Sequence, residues 1–403
     1  MAPPDNRFPV QRVSHDAWVT ATAANAAADH LAGYGPTVDR FLAGRPEPEL
    51  ARLRARLARW PRERIQDHVG RTRGRSLAFL VLMLTGACNA DCPICFTDRR
   101  RKAGELTIAE RDDVLRQARA LGARYVYVPG EGEPTIDRGF WEFAETCGEL
   151  GLEAVVFTNG LLFGDAAAAR RRWGCEPEEA IDRLARLPVS LYVKYWTPDA
   201  ARAAEMLGIR ADRCPYREYD GTPVPAGLEV LLRRFPRERL GLEVVVERRN
   251  ADDVARRIVP FAERHRLARI VEMIQHNGRV LGDSGFDPSP EQVERTAGLL
   301  SPTSCTMATC KAVVTSRGWL SPRIAVLEHQ IPGQPASVKG ADLFGLLHET
   351  DYVVERRYEI SGCLCETLPA ALAPCKLPTR ALAPNVPPPA LTLTHATPTR
   401  EAL

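Results

Sequence analysis

Three cysteines lie close together within the segment Leu82–Phe96, at Cys88, Cys92 and Cys95. They follow an apolar, strand-like run, their spacing is C-x3-C-x2-C, and the aromatic residue Phe96 comes directly after the last of them. Thiolates this close in sequence can converge on one metal centre, and thiolates are the usual ligands of iron–sulfur clusters. A cluster bound by only three cysteines leaves one iron open for a substrate or cosubstrate.

Two other interpretations compete with a cluster, namely a zinc site and a disulfide. A structural zinc site needs a fourth ligand nearby, and Cys147, the next cysteine, lies far down the chain. A disulfide would leave an odd thiol and suits a secreted protein, which this chain does not resemble. The three cysteines therefore favour an iron–sulfur cluster.

This cysteine segment resembles the signature of radical S-adenosylmethionine (SAM) enzymes, in which C-x3-C-x2-C and an aromatic residue follow the first strand of a barrel. The resemblance implies a [4Fe–4S] cluster on Cys88, Cys92 and Cys95 as the catalytic centre, with SAM on the open iron and Phe96 beside the cofactor. It also implies an α/β fold built as a partial (β/α)6 barrel.

The composition limits the class of protein. The chain has 403 residues, enough for one domain of barrel size and a smaller one, and 45% of them are hydrophobic. Its formal net charge of +3 implies no polyanionic partner, so nucleic acid is not expected. No segment reads as a membrane span or a signal peptide, so we expect a cytoplasmic protein in which eleven cysteines serve mainly as metal ligands.

The order of sequence patterns predicts four regions. Residues 1–75 read as a helical arm, 76–285 as the partial barrel, 286–375 as a small cysteine-rich domain, and 376–403 as a disordered, Pro-rich tail. Within residues 76–285, short apolar runs alternate with amphipathic helices, as in a parallel sheet with helices outside it. Alternation alone fits a full barrel or a doubly wound sheet as well, and the partial barrel of six units is what the radical SAM resemblance implies. The predicted strands are 77–84, 124–128, 153–158, 189–195, 240–247 and 269–274. The predicted helices between and after them are 107–121, 138–150, 177–187, 226–235 and 252–266.

In parallel β/α folds, ligands bind beyond the carboxyl ends of the strands. The second strand ends in Gly130-Glu131-Gly132-Glu133-Pro134. Glycines let the backbone approach a ligand closely, and a glutamate can bind an ammonium group. The segment resembles the GGEP motif of radical SAM proteins, which holds the SAM amino group. Because Glu131 replaces the second glycine, either Glu131 or Glu133 could do this, and Glu133 matches the motif better.

Three later strands carry further candidates. The third ends in Thr158-Asn159-Gly160, a common turn sequence that in this family also closes the third strand beside SAM, so Thr158 and Asn159 are expected pocket residues. The fourth carries Lys194, which alternation points either into the barrel or towards the helices. Buried there, it needs a partner such as a SAM carboxylate or a substrate oxygen; alternatively it extends to solvent. Glu272, near the end of the sixth strand, is a candidate acid lining the barrel.

A second group of cysteines lies near the C-terminus. Its members are Cys305, Cys310, Cys363, Cys365 and Cys375. The first two precede residues 313–320, which read as strand, turn and strand. The arrangement resembles the SPASM/Twitch extensions of radical SAM enzymes in a shortened form, which implies one auxiliary [4Fe–4S] cluster. Cys310, Cys363, Cys365 and Cys375 are the preferred ligands and Cys305 the alternative first one, while a zinc site from the same residues is the competing interpretation.

The resemblance implies reductive cleavage of SAM to a 5′-deoxyadenosyl radical that abstracts hydrogen from a substrate, with the electron supplied by flavodoxin or ferredoxin. The expected substrate is a small polar metabolite, such as an aminoglycoside or aminocyclitol sugar in natural-product biosynthesis. The reaction there would be a dehydrogenation, a dehydration or an epimerisation. A peptide-modifying enzyme is the second possibility. A non-catalytic electron-transfer iron–sulfur protein is the third, and the motifs at the second and third strand ends argue against it.

Overall fold

The computed structural model describes residues 77, 79–97, 103–123, 125–274, 278–280, 283–299, 311–321 and 335–350. The predicted helical arm and the predicted tail lie outside the described residues. So do all five C-terminal cysteines that were proposed as auxiliary ligands: Cys305, Cys310, Cys363, Cys365 and Cys375.

Ten strands form in the described chain, eight of them in one sheet. They are β1 (Phe79–Leu82), β2 (Tyr125–Val128), β3 (Glu153–Thr158), β4 (Val189–Lys194), β5 (Tyr216–Tyr219), β6 (Thr222–Pro225), β7 (Leu240–Val246), β8 (Ala268–Met273), β9 (Lys311–Val314) and β10 (Leu320–Ser321). The sheet order is β10-β9-β1-β2-β3-β4-β7-β8, and every pair in it is parallel except β9 with β10. The six predicted strands are all present, with bounds that differ by one or two residues, and they lie side by side in chain order as a (β/α)6 unit requires.

Helices fill the crossovers between the parallel strands, and one more follows β10. They are α1 (Ile108–Ala120), α2 (Phe140–Glu149), α3 (Leu161–Gly164), α4 (Ala166–Trp173), α5 (Pro177–Arg186), α6 (Ala200–Leu207), α7 (Ala226–Arg234), α8 (Ala251–Asp253), α9 (Val259–Arg264), α10 (Pro290–Ala297) and α11 (Leu343–Glu349). A π-helical turn, Val254–Ile258, joins α8 to α9. The capping box predicted at Thr107 is confirmed, since its hydroxyl accepts from Glu110 N and the Glu110 carboxylate accepts from Thr107 N. No helix in the described ranges combines the length and the apolar character needed to cross a bilayer.

Most of the elements that the sequence did not predict are short and lie inside crossovers; α11, which follows β10, is also unpredicted. Helices α3, α4 and α6 and the separate antiparallel pair β5–β6 are all of this kind. Each is eight residues or fewer, so it shows too few repeats for periodicity to separate it from a loop.

The predicted strand–turn–strand at residues 313–320 is confirmed as the hairpin β9–β10. Its first strand also pairs in parallel with β1, with Val81 opposite Val313 and Leu82 opposite Val314. The C-terminal part of the chain therefore extends the same sheet beside the strand that leads to the three cysteines, which no local pattern could have indicated.

The register of the sheet separates its two faces. The residues of one face, such as Val156, Leu191 and Val244, are fully buried beneath the helices. Paired residues of parallel strands share a face, and Phe157 lies opposite Tyr192 and Lys194 opposite Glu243. We call the second face the inner face. It carries Tyr127, Phe157, Tyr192, Lys194, Glu243 and Glu272.

Candidate functional site

The loop of residues 83–97 carries Cys88, Cys92 and Cys95, and we call it the cysteine loop. It leaves the carboxyl end of β1 and lies over the inner face, where Lys194 is near its thiols. Cys92 is buried, whereas Cys88 and Cys95 are half-buried, and none of the three is in a disulfide. Burial raises the pKa of the Cys92 thiol to about 12, and the other two thiols contribute while Lys194 opposes the rise. Burial also raises the pKa of Cys88, with a further contribution from Glu133. An apolar, closed environment of this kind suits thiolates whose charge a metal cluster neutralises.

The donor set fits an iron–sulfur cluster better than a single ion. In the described ranges, no three Cys, His, Asp or Glu side chains are arranged around one metal ion. In a [4Fe–4S] cluster each thiolate ligates a different iron, so its ligands surround a larger group. Cys88, Cys92 and Cys95 influence one another electrostatically and lie in one loop, as such a cluster needs.

A segment after β8 clamps the cysteine loop. Arg279 Nη1 donates to Asp91 O, Asp91 Oδ1 and Cys92 O at 3.0, 2.7 and 3.0 Å, and Arg279 N donates to Cys95 O at 2.9 Å. Gly278 has a φ of +57°, and a Cβ there would lie 2.3 Å from the carbonyl carbon of Phe96. The loop is thus held by contacts distant in sequence. The side chain of Phe96 is half-buried behind it.

The glycines of the second motif bring its backbone against the start of the cysteine loop. Gly132 N donates to Thr85 O and Glu133 N to Ala87 O, both at 2.8 Å. A Cβ on Gly132 would lie 1.8 Å from Ala87 O, so only glycine fits. Gly130 has a φ of +85°, which glycine also favours. The sequence predicted that these glycines let the backbone approach a ligand; in the structure, Gly132 approaches the backbone that follows β1.

The Glu133 carboxylate joins the ends of β2 and β3 through hydrogen bonds. Its Oε1 accepts from Thr135 N, Thr135 Oγ1 and Thr158 Oγ1 at 3.2, 2.7 and 2.6 Å, and its Oε2 accepts from Asn159 N at 2.8 Å. Asn159 Nδ2 in turn donates to Asn89 Oδ1 at 2.7 Å in the cysteine loop. Thr158 and Asn159, the expected pocket residues, are buried and donate to the Glu133 carboxylate. Among these hydrogen bonds Oε2 accepts only one, so it can accept a further hydrogen bond from an ammonium group.

Glu131 points away from Glu133 and reaches the C-terminal hairpin. Its Oε2 accepts from Ser316 N at 3.1 Å and from the Ser316 hydroxyl. The two glutamates between which the sequence could not choose therefore have different surroundings. Glu133 lies between the second and third strand ends, and Glu131 beside β9.

Lys194 lies on the inner face, which settles the two orientations that alternation allowed. Its ammonium is 5.6 Å from the centre of the Trp196 ring and near Glu243, its neighbour across the strand pair. Burial by itself lowers the pKa of Lys194, but Glu243 and the thiols of Cys92 and Cys95 outweigh it and raise the pKa overall. The lysine is therefore charged below the cysteine loop.

Glu243 is a site residue that the sequence analysis missed. Burial raises its pKa, while Lys194 and the nearby Trp196 indole partly offset the rise. The indole is close enough to act on this carboxylate, yet Glu243 Oε2 and Trp196 Nε1 are both buried with no hydrogen-bond partner in the described chain. The available signal was an acid inside the apolar run LGLEVVV, one strand over from Lys194.

The rest of the inner face carries a row of aromatic rings and, on β8, an acid. The rings of Tyr127, Phe157 and Tyr192 stack in a row, with centroids 6.2 and 5.3 Å apart. Glu272, opposite Val245, is half-buried on the same face, two strands from Lys194. The face thus offers a closed aromatic floor with charged groups above it.

An ion pair behind the site was also missed. Arg111 donates to Asp137 Oδ1 at 2.5 Å and Oδ2 at 3.1 Å, and to Leu84 O at 2.7 Å, and both charged side chains are buried. It joins the end of β1 to the segment after Glu133. Arg111 sits in α1 among charged residues, so nothing local distinguished it from an exposed arginine.

Comparison with known proteins identifies the central part of the chain. Residues 82–211 match the radical SAM superfamily. A GTP 3′,8-cyclase of Synechococcus is 30% identical over 203 residues, which is 49% of this chain and 53% of that protein. A probable GTP 3′,8-cyclase of Methanothermobacter thermautotrophicus is 32% identical over 111 residues, 27% of this chain and 36% of that one. The mycofactocin maturase MftC of Mycobacterium ulcerans is 32% identical over 88 residues, 22% of this chain and 24% of that protein.

Two crystal structures of Streptococcus suis SuiB have a similar fold. One, bound to its precursor peptide SuiA, has a TM-score of 0.52 at 15% identity and covers 73% of this chain and 71% of SuiB. The other, bound to SAM, has a TM-score of 0.52 at 16% identity and covers 75% and 76%. At this identity the likeness concerns the fold.

Residues 82–211 carry a radical SAM domain, as the cysteine segment predicted. Proteins of this superfamily are enzymes that use a [4Fe–4S] cluster and SAM, which confirms the predictions of an enzyme and of these two cofactors. The chain spans about a third to a half of the curated GTP 3′,8-cyclases just described.

Proposed function

We propose that this protein cleaves SAM reductively and uses the resulting radical to abstract hydrogen from a substrate held over the inner face. The observation that carries the proposal is the convergence of four strand ends. The cysteine loop follows β1, and Glu133 follows β2 and is bonded to Thr158 and Asn159 at the end of β3. Lys194 ends β4 beneath the thiols.

In this proposal Cys88, Cys92 and Cys95 hold the cluster. Glu133 binds the SAM ammonium through the acceptor position left on Oε2, and Lys194 faces the SAM carboxylate. Opposite charges would then meet at both ends of the amino-acid part of SAM, which fixes its orientation as well as its affinity. Glu131 takes no direct part because its carboxylate is bonded to Ser316.

When bound, the cluster and SAM supply a 5′-deoxyadenosyl radical, formed with methionine by one-electron reduction of the sulfonium, that abstracts a hydrogen atom. The chain's own groups orient and shield. The stacked rings of Tyr127, Phe157 and Tyr192 close the floor of the site and exclude water from it. An external one-electron donor such as flavodoxin or ferredoxin supplies the electron.

The substrate we propose is a small polar metabolite, an aminoglycoside or aminocyclitol sugar being the leading class. Glu243 supports this, because its Oε2 is buried with no hydrogen-bond partner in the described chain, and a hydroxyl or amine of a polar substrate would supply that partner. Glu272 lies half-buried on the same face and is the proposed second acid of the pocket. Dehydrogenation, dehydration and epimerisation at a carbinol carbon all begin with the same hydrogen abstraction.

A peptide substrate is the second candidate. It is favoured by the fold shared with SuiB, which was crystallised with its precursor peptide. A peptide needs a long open groove, whereas a metabolite needs a closed pocket. Turnover of an aminocyclitol with no turnover of peptides, or the reverse, decides between the two.

We also propose that the region 286–375 binds an auxiliary [4Fe–4S] cluster through the C-terminal cysteines. Support comes from the hairpin β9–β10, which forms where the SPASM/Twitch resemblance requires one. Anaerobically reconstituted protein should then contain about eight irons per chain. About four irons with activity intact would remove the auxiliary cluster from the proposal.

The decisive test of the catalytic centre replaces Cys92 with alanine. The reconstituted wild type should release 5′-deoxyadenosine from SAM when dithionite reduces it, and Cys92→Ala should not. Cys147→Ala serves as the matched control, because Cys147 is a fully buried cysteine on α2 that we assign to the core. Production of 5′-deoxyadenosine by Cys92→Ala would overturn the assignment.

A further inference from the structure

We propose that Glu131 is a positioning residue that couples docking of the hairpin Lys311–Ser321 to the binding of SAM. Glu131 stands where the family motif has glycine, so the coupling would be a property of this chain. The inference rests on the proposed function, since SAM is the ligand whose binding it concerns.

The first contact joins the carboxylate to the hairpin. Glu131 and Ser316 are 8% and 0% exposed, and Ser316 donates both its backbone N–H and its hydroxyl to Glu131 Oε2. Ser316 lies in the turn between β9 and β10, and its carbonyl accepts from Leu106 N at 2.7 Å. A buried carboxylate bonded by two donors stabilises the docked hairpin through charge-assisted bonds.

The second contact joins the backbone of the same residue to the cysteine loop. Thr97 Oγ1 donates to Glu131 O at 2.5 Å and lies 3.4 Å from Cys95 Sγ. Thr97 is 4% exposed, so this bridge is shielded from water. Direct contacts therefore link Ser316 to Glu131, Glu131 to Thr97, and Thr97 to Cys95 Sγ.

Residues 130–134 have little freedom to move independently of the segment that follows β1. Gly132 is in direct contact with the backbone of Gly86 and Ala87, and the turn at Gly130 has a positive φ. If the hairpin undocked, the Glu131 carboxylate would lose both Ser316 donors, and the loss of two charge-assisted bonds to a buried carboxylate is costly. A shift of Glu131 that recovers donors would move the backbone on either side of it, including Glu133. The position of residues 130–134, which carry Glu133, thus depends on the hairpin.

Coupling of this kind is reciprocal, so SAM should stabilise the docked hairpin. The measurement is hydrogen exchange of a peptide covering residues 311–321, followed with and without SAM in reconstituted protein that is left unreduced, so that no turnover occurs. In the wild type, SAM should slow this exchange by roughly 5- to 150-fold, the usual range of coupling between sites.

Substitutions of Glu131 and Lys339 distinguish the proposed coupling from a general loss of stability in the docked C-terminal region. Glu131→Ala removes the acceptor and should reduce the SAM-dependent slowing to less than about twofold, below that range. Glu131→Gln keeps an oxygen acceptor for Ser316 and should restore most of the slowing. Lys339→Ala is the matched control, because Lys339 donates to Gly104 O at 2.8 Å and docks the same C-terminal region elsewhere. It should leave the SAM-dependent slowing in place.

Ser316→Ala tests the contact from the other side, and it carries the test if Glu131→Ala does not assemble the cluster. It removes the hydroxyl donor while the backbone N–H remains, so the slowing should fall below the wild-type value. Undiminished slowing in this variant or in Glu131→Ala would overturn the inference, as would equal loss in Lys339→Ala. If wild-type protein binds SAM with no slowing, the inference alone fails. If it does not bind SAM, the proposed function fails and the inference fails with it.

Discussion

The substitution Glu133→Gln would test whether this side chain holds the second and third strand ends together. The carboxylate accepts one backbone N–H on each oxygen, Thr135 N on Oε1 and Asn159 N on Oε2. An amide has a single acceptor oxygen, so in either orientation of the new side chain one of these N–H groups would face an NH2 group. Because Glu133 is only 2% exposed, no water replaces the lost acceptor.

The expected cost follows from that geometry. A buried donor left without a partner costs about 1–3 kcal/mol, and the remaining bonds lose their charge assistance. A total near 2–4 kcal/mol follows, which lowers the midpoint of thermal unfolding by roughly 5–15 °C in a domain of this size. The assay is thermal unfolding of the apo protein without oxygen.

The matched control is Glu149→Gln at the exposed end of α2, which should change the stability by no more than about 0.5 kcal/mol. SAM affinity of the reconstituted protein gives the second readout. A lost charged contact to the SAM ammonium, worth about 1.5–3 kcal/mol, weakens binding by at least about tenfold. An unchanged unfolding midpoint of Glu133→Gln would refute the role of this carboxylate in joining the two strand ends. Unchanged SAM affinity would refute its contact with the SAM ammonium.

Three further outcomes are expected. Arg111→Met leaves Asp137 buried without its partner and should destabilise the protein by about 3–5 kcal/mol in thermal unfolding. A loss of about 1 kcal/mol or less, which is what exposed ion pairs contribute, would contradict this. Gly278→Ala should reduce the iron bound on reconstitution, whereas Gly221→Ala should not, because Gly221 also has a positive φ but has open space around it. Equal iron content in both variants would show that the close approach of Gly278 to the cysteine loop is unimportant. Burial lowers the pKa of His265, with Asp220 opposing, so the folded state favours the neutral ring, and its contribution to stability is lost as pH falls below about 6.5. His265→Gln should therefore lose less stability between about pH 7 and pH 5 than the wild type.

Much of the fold could be predicted because the signals are local. The six barrel strands appear as short apolar runs, and the capping box at Thr107 marks a helix start within four residues. The strand-end motifs were also found, since each is contiguous and parallel strands bring their carboxyl ends to one edge. The roles within those motifs were harder. Glu131 and Glu133 are close neighbours in the chain, yet one bonds a hairpin 185 residues away and the other bonds the next strand.

The sequence by itself determined which chemistry the chain carries, because three thiols at fixed spacing and a glycine-rich turn need only their neighbours to be recognised. Only the tertiary structure decided how those groups are held. It placed Lys194 on the inner face beside Glu243, clamped the cysteine loop with Arg279, and joined Glu131 to Ser316. Such contacts depend on strand register and on the packing of β9 against β1. These arise from summed burial along whole strands, and no single stretch of sequence encodes them.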